Sequence, residues 1–259
     1  MGEIPRNQER KNLNKIETLK EKGVVYFDVG LTSGEENARQ EIRVENEAIR
    51  TMEDETLEFS YYGPINNELM KELTDYFGKL GGNSKEIINN ISSLVIRVAE
   101  ITQKDFNGES CWVNIRTTLP NNKYDIPRWH TDGRYFEHKP EEKVYKLVFT
   151  IKGSPTRFAE KTDSDNYDRI EGGYSDNYES NFKNNPEEYK KEDIRIRKEL
   201  MSTVKEIDPP NNEQAVMYLV DSKDAKVHSE PKMNEPRVFM QILVGSKDQI
   251  NEWKGNWKE

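Results

Sequence analysis

The sequence predicts an α+β protein, with helices leading and an antiparallel β-barrel following. Residues 65–104 carry apolar side chains at three- and four-residue steps. After residue 110 the pattern changes to short β-rich runs separated by Pro, Gly, Asn and Asp. No repeat or linker interrupts the 259 residues, so one domain is expected: support over 1–109, a β core over 110–245 and a closing helix over 246–259.

Residues 6–22, rich in Lys, Arg and Glu with Leu13, Ile16 and Leu19 at helical spacing, read as a mostly solvated helix resting on the body. Val24–Phe27 is a short strand candidate, and Leu57, Phe59 and Tyr61 alternate as a half-buried strand requires. Between them, residues 32–55 are polar, with one alternating patch at Ile42 and Val44. Leu69, Leu73, Phe77 and Leu80 form a helical stripe ended by Gly81-Gly82. Ser84 then resembles an N-cap for a second stripe running from Ile87 to Ile101. Strands are expected at Cys111–Thr118, Val144–Ile151, Ala215–Val220 and Val238–Val244. The interval 160–212 is a long polar insertion. Its first part has little to bury, and the part from Pro186 to Lys205 reads as a charged helix with Pro near its start. Such an insertion beside a site is commonly a lid, or else partly disordered; as a lid it would bring Tyr167, Tyr174 and Tyr178 over a substrate. Trp253 and Trp257, four apart, are expected to dock one helical turn.

Charged residues make up 34% of the chain and the net charge is -9, a poor balance for binding a nucleic acid backbone or an anionic membrane. No apolar run approaches the roughly eighteen residues of a membrane span. The N-terminus lacks a hydrophobic signal core, so a cytoplasmic location is expected. The single cysteine, Cys111, excludes an internal disulfide framework and reads as a buried structural thiol.

Chemistry concentrates at Arg128-Trp129-His130-Thr131-Asp132-Gly133. His130 and Asp132 are two positions apart, so on a strand both point to one face. Only three histidines occur, and His228, after the Ala215–Val220 run, is the second one suited to a metal site. The third, His138, sits in a charged loop and reads as solvent-exposed. Two imidazoles and one carboxylate can hold Fe(II) without saturating it, leaving positions for a bidentate co-substrate and O₂. HxD alone is a weak signal, satisfied by a turn aspartate beside a surface histidine. The set of HxD, a distal His after a β-run and Arg237 nine positions later is more specific.

These residues resemble the Fe(II)/2-oxoglutarate-dependent dioxygenase superfamily, prolyl hydroxylase-like or phytanoyl-CoA hydroxylase-like, over roughly 110–245. The resemblance implies a double-stranded β-helix (jelly-roll) core with the N-terminal helices packed on one sheet. His130, Asp132 and His228 would be the metal ligands, and Arg237 would pair with the far carboxylate of 2-oxoglutarate. Leu147–Phe158 resembles the family's next strand and turn, and Ala215–Leu219 the strand before the distal ligand. Two departures stand out. Phe239 occupies a place where many members carry Ser or Thr, so a second polar contact is sought among Asn114, Arg116, Tyr124 and Lys146. The polar insertion also stretches the interval from Asp132 to His228 to 96 positions. Trp129 and Tyr135 flank the ligands as pocket-wall candidates, with a packing role the equal alternative for each. The implied function is oxidation, most often hydroxylation, of a small molecule or side chain, with halogenation disfavoured by the carboxylate ligand. The alternatives are a cupin-like metal- or ligand-binding barrel without oxygenase activity and a scaffold presenting its acidic insertion to a partner.

Overall fold

A computed structural model describes residues 19, 23–52, 55–132, 144–160, 185–211, 213–220 and 225–257. Eight strands and five helices make up its main elements. In chain order they are β1 (Val24–Asp28), α1 (Ser33–Glu41), β2 (Thr56–Gly63), α2 (Asn67–Gly78), α3 (Lys85–Phe106), β3 (Ser110–Thr118), β4 (Tyr145–Lys152), β5 (Arg157–Phe158), α4 (Pro186–Thr203), β6 (Gln214–Leu219), β7 (His228–Ser229), β8 (Arg237–Gly245) and α5 (Lys247–Trp257). Six strands form an antiparallel sheet in the order β1-β6-β4-β8-β3-β2, and β5 pairs with β7 in a second, short sheet.

The large sheet has two chemically different faces because side chains alternate along each strand. Phe59, Val113, Ile115, Met240, Ile242, Leu147, Phe149 and Met217 point one way and are buried. The stripes of α2 (Leu69, Leu73, Phe77) and α3 (Ile91, Leu94, Val95, Val98) pack against them to form the main core. Losing one such leucine to alanine typically costs about 2–5 kcal/mol, so this layer dominates the protein's stability. The opposite face carries Asn114, Arg116, Lys146, Tyr218, Arg237 and Gln241, which the cross-strand register brings onto one surface. Apolar residues on that face, Trp112, Val148, Val216 and Leu243, join Phe158 of the short sheet and Ile250 and Trp253 of α5 in a second cluster.

The helix termini follow local chemistry. Asn66 accepts from the Glu68 and Leu69 amides to start α2, and Ser84 accepts from Ile87 to start α3. Asn107 closes α3 in the left-handed conformation, with φ 50 and ψ 38. Pro186 stands in the first turn of α4 behind Asn185.

The expectation of a strand patch at Ile42 and Val44 is not met. α1 precedes it, and a 3-10 turn (Glu47–Thr51) follows. The reason is a capping box: the Glu35 amide donates to Thr32 and the Thr32 amide to the Glu35 carboxylate. Ile42 is buried as the cap of α1 rather than as a strand residue. α1 is tied to α3 by the Arg97–Glu35 ion pair at 2.7 Å, and to β4 by Arg39, which donates to the Thr150 and Ile151 carbonyls.

Most of the expected 6–22 helix lies outside the described residues, as do His138, Tyr135 and the insertion tyrosines. Leu19 is described and is buried in the main core. α4 meets the body through Ile196 and Leu200 against Trp129, Ala159 and Val227. Of the two C-terminal tryptophans, Trp253 is buried, and the side chain of Trp257 lies outside the described residues. Among the described residues no helix is long and apolar enough to cross a membrane.

Two outcomes follow from this packing. Burial tends to raise the Glu35 carboxyl's pKa, but Arg97 and Thr32 overcome it and hold the pKa below the ordinary value. The ionised form therefore contributes stability above the unfolded pKa, and that contribution is lost as pH falls through the lower folded pKa. Glu35→Gln should cost about 1–3 kcal/mol in urea unfolding at pH 7. The gap to wild type should close in acid, and a pH-independent gap would show that the ion pair is not its source. Cys111 is buried, and burial pushes its thiol up to about 12. It should resist an aromatic disulfide reagent in the native state and react only on unfolding, as a thiol-release assay would show.

Candidate metal centre

His130 and His228 lie directly opposite each other on neighbouring extended segments. The His130 amide donates to the His228 carbonyl and the His228 amide to the His130 carbonyl, each at 2.9 Å. That reciprocal pairing turns both imidazoles to the same face, with ring centroids 4.4 Å apart. Asp132, two residues beyond His130, follows onto that face by the period of the strand. Its carboxylate lies 4.0 Å from Nε2 of His130 and 3.4 Å from Nε2 of His228. One donor atom from each of the three residues falls within 4.8 Å of the others.

The backbone also selects the tautomers. Nδ1 of His130 is 2.8 Å from the Arg128 carbonyl and Nδ1 of His228 is 3.1 Å from the Lys226 carbonyl. A carbonyl oxygen only accepts, so each Nδ1 carries a proton and each ring is turned to present Nε2 beside Asp132. Burial first, then the charges of Arg128 and His228, lower the His130 pKa to about 3, so its ring is neutral at physiological pH. Burial alone would raise the Asp132 pKa. Lys146, followed by the two imidazoles, overcomes this and holds it far below the usual carboxylate range. Two imidazole nitrogens and an ionised carboxylate converging in one place match the donor set expected for a divalent iron or a similar ion.

Lys146 and Tyr218 face each other across β4 and β6 and both reach Asp132 Oδ2. The Lys146 Nζ donates at 2.7 Å and the Tyr218 hydroxyl at 2.8 Å. Lys146 was sought as a contact for the co-substrate, but in the structure it holds the carboxylate of the triad. Sequence reasoning missed Tyr218. The available signal was a lone phenol on a run that is otherwise apolar. Glu230 was also missed, although it stands two residues past His228 on the same face. There it pairs with Arg128 at 2.5 Å, and Arg128 pulls its carboxyl down to about 2 against the effect of burial.

Arg237 opens β8 on the face that carries Lys146, and it is buried. Its Nε donates to the Ser154 carbonyl and its Nη2 to Thr156 Oγ1, both at 2.9 Å, and its guanidinium lies 4.1 Å above the Phe239 ring. Burial lowers its pKa to about 10, opposed by Glu230. Asn114 lies on the same sheet face, but its amide is engaged by Glu58, Ser60, the Phe59 carbonyl and Gln241. Arg116 lies beside Glu58 at 3.7 Å. Tyr124 lies under the Lys123 and Arg128 cations. Trp129 does not wall the pocket. Adjacent residues of an extended strand point to opposite faces, so it turns away from the triad to pack with Ala159, Leu200 and Val227 beneath Arg157.

Solved structures similar to this chain include dioxygenases and hydroxylases. A rice dioxygenase for auxin oxidation is 9% identical with a TM-score of 0.48, and the match covers 95% of this chain and 81% of that one. The corresponding Arabidopsis thaliana enzyme, in a complex with 2-oxoglutarate, is 10% identical with a TM-score of 0.47, over 93% and 89% of the two chains. A Pseudomonas putida prolyl-4-hydroxylase is 9% identical with a TM-score of 0.41, over 91% and 98%. No protein-family model matches the sequence, and no curated protein matches it.

The turn leading to Arg237's acceptors depends on Gly153. Its φ is +84, and a Cβ there would meet the Pro236 carbonyl at 3.0 Å and Arg237 Cα at 3.1 Å. Gly153→Ala should therefore destabilise the protein by about 1–3 kcal/mol and displace the start of β8. Thermal unfolding checks the first effect and amide chemical shifts near Arg237 the second.

Proposed function

We propose that the chain is a non-haem Fe(II)/2-oxoglutarate-dependent oxygenase built as one domain on a double-stranded β-helix. The observation that carries this reading is the cross-strand His130–His228 pair with Asp132, both Nε2 atoms being held toward one carboxylate. The strand pairing fits the same architecture. The large sheet contains the run β3-β8-β4-β6, while His130, β7, β5 and Glu206 follow one another through bridges on the opposing side.

His130, Asp132 and His228 would hold the metal, and Arg237 would hold the distal carboxylate of 2-oxoglutarate. The hydrogen-bond acceptors on Arg237, a carbonyl and a hydroxyl, are both neutral. Its charge is therefore available to an anion, and its planar fork suits a carboxylate. When bound, Fe(II) and 2-oxoglutarate would supply the electrons that activate O₂, the oxidant, toward a C–H bond. The protein's part is to orient and enclose. The Arg128 and Lys226 carbonyls fix the two rings, while Lys146 and Tyr218 fix the rotation of Asp132. Phe158, packed on Tyr218 at 5.1 Å and near His228 at 6.0 Å, closes the apolar side against water. The substrate oxidised is a small molecule or a side chain.

One contact favours a barrel that binds a ligand without oxygen chemistry: Lys146 already balances the charge of Asp132 at 2.7 Å. Anaerobic titration with Fe(II) and 2-oxoglutarate separates the readings. The oxygenase should develop the weak visible metal-to-ligand band, whereas a metal-free binder should not. His228→Ala should abolish both the band and 2-oxoglutarate turnover. Lys146→Met and Tyr218→Phe should keep the band while weakening metal affinity about 10–100-fold. Turnover undiminished in His228→Ala would end the proposal.

A further inference from the structure

Lys226 precedes the distal histidine by two residues. The Ala159 amide donates to the Val227 carbonyl at 3.0 Å, so the ladder of the short sheet extends one residue before β7. Val227 turns outward to pack with Trp129 and Ala159. Adjacent residues of an extended segment leave it on opposite faces, so Lys226 shares the inner face with His228. Lys226 is only 7% exposed. Among the described residues its ammonium makes no hydrogen bond and no ion pair. Other cations beside the triad are committed, Lys146 to Asp132 at 2.7 Å and Arg128 to Glu230 at 2.5 Å. Lys226 has only the longer-range attraction of Glu160, an exposed carboxylate two residues beyond Phe158.

The fold does not need a charge at this position. The backbone of Lys226 already fixes the segment, its carbonyl bonding to Nδ1 of His228 and its amide donating to the Leu219 carbonyl at 2.9 Å. An apolar side chain would fill the same space without the cost of burying an unpaired ammonium. Its place in the barrel is equally telling. Arg237 stands at one end of β8, where Val238 pairs with Lys152 of β4. Lys146, which holds Asp132, pairs with Leu243 near the other end. Lys226 is bonded to the end of β6 that continues past Lys146, where the Val220 amide donates to the Val144 carbonyl. The triad therefore lies between Arg237 on one side and Lys226 on the other.

We propose that the substrate oxidised here is an organic acid and that Lys226 binds its carboxylate on the side of the triad away from Arg237. The assignment rests on the oxygenase reading above, in which 2-oxoglutarate fills the side toward Arg237 and the substrate takes the other. An ammonium offers three donors on a flexible stem, so it accepts a carboxylate over a range of angles while the stem packs against its surroundings. In an enclosed site that charge-assisted contact is stronger than it is in water. Lys226 and His228 are two positions apart on an extended segment, about 7 Å, so one small molecule can span from the ammonium to the triad. An ester or amide of the same acid would leave the ammonium unpaired, which is the basis of discrimination.

Acetate is the probe, because it is a carboxylate that presupposes no carbon skeleton. Mn(II) takes the place of iron, since it broadens the resonances of nuclei close to it. With Mn(II) and saturating 2-oxoglutarate on the full chain, the acetate methyl line should broaden. Lys226→Met should cut that broadening at least about threefold. Lys232→Met, which removes an exposed lysine paired with Asp125, should leave it unchanged. A wild-type sample that shows no broadening would overturn the assignment. So would broadening that survives in Lys226→Met, because acetate would then sit on the metal or elsewhere. If Lys226→Met does not fold, Lys226→Gln carries the same expectation. 2-Oxoglutarate should bind the Lys226 variant within about threefold of wild type, since the carbonyl that orients His228 is backbone and is retained. A larger loss would place Lys226 in the co-substrate pocket and overturn its role. Wild-type Mn(II) protein that binds no 2-oxoglutarate is a different result: it ends the oxygenase reading itself, and this assignment with it.

Discussion

The pairing of two short backbone segments decides the chemistry of this protein. His130 and His228 exchange both of their amide–carbonyl bonds, so their side chains must leave the strands on the same side. Asp132 follows because the strand repeats every two residues. A slip of one residue in either segment would turn an imidazole into the apolar cluster around Trp129 and leave Asp132 facing one ring. The site is therefore positioned by register, and the Nδ1–carbonyl bonds of both histidines keep the rings from rotating out of it.

Bringing a carboxylate into that enclosed space has an electrostatic cost, and the large sheet offsets it. Lys146 and Tyr218 stand opposite each other on β4 and β6, and both donate to one oxygen of Asp132. The two sheets thus meet through a charged contact as well as through Phe158 and its neighbours. A Glu58–Asn114–Gln241 chain, in which Asn114 and Gln241 are buried, continues the polar lining on the same face. Such a lining contributes little net stability, because each buried group spends its hydrogen bonds recovering what it lost with water. The apolar layer on the other face, beneath α2 and α3, makes that expense tolerable. Stability and chemistry are separated onto opposite sides of one sheet, which the alternation of side chains along each strand makes possible.

How much of this could be read from the sequence depended on how local the signal was. The strands announced themselves by β-rich runs, and four of them fall within two residues of their expected limits, at 110–118, 145–152, 214–219 and 237–245. α2 and α3 were legible from their stripes and caps. α1 was not, although Thr32 and Glu35 spell a capping box, because its face is polar apart from Ala38 and the 3.6-residue period is faint. At the site, the three residues that converge were legible as types at a spacing. What lies between them was not. Lys146 bonding to Asp132, the Tyr218 phenol and the Arg128–Glu230 pair are contacts between strands distant in sequence, and no local pattern encodes them. Trp129 illustrates the opposite error, since proximity in sequence to His130 suggested a shared pocket while the period of a strand forbids it.

Phe239 shows how the residues around Arg237 fix its guanidinium. An aromatic ring there donates no hydrogen bond, but it can hold the guanidinium itself, which lies 4.1 Å from the ring centroid. A hydroxyl comes instead from Thr156 on the turn after β4, accepting from Arg237 Nη2 at 2.9 Å while its own proton remains free to point elsewhere. That turn is brought to Arg237 by Gly153, whose missing side chain allows backbone to approach backbone. A ring beneath the guanidinium, two acceptors at its edge and the glycine that places them act together to hold one arginine in a fixed plane. A lysine, with no plane to hold, could not take its place.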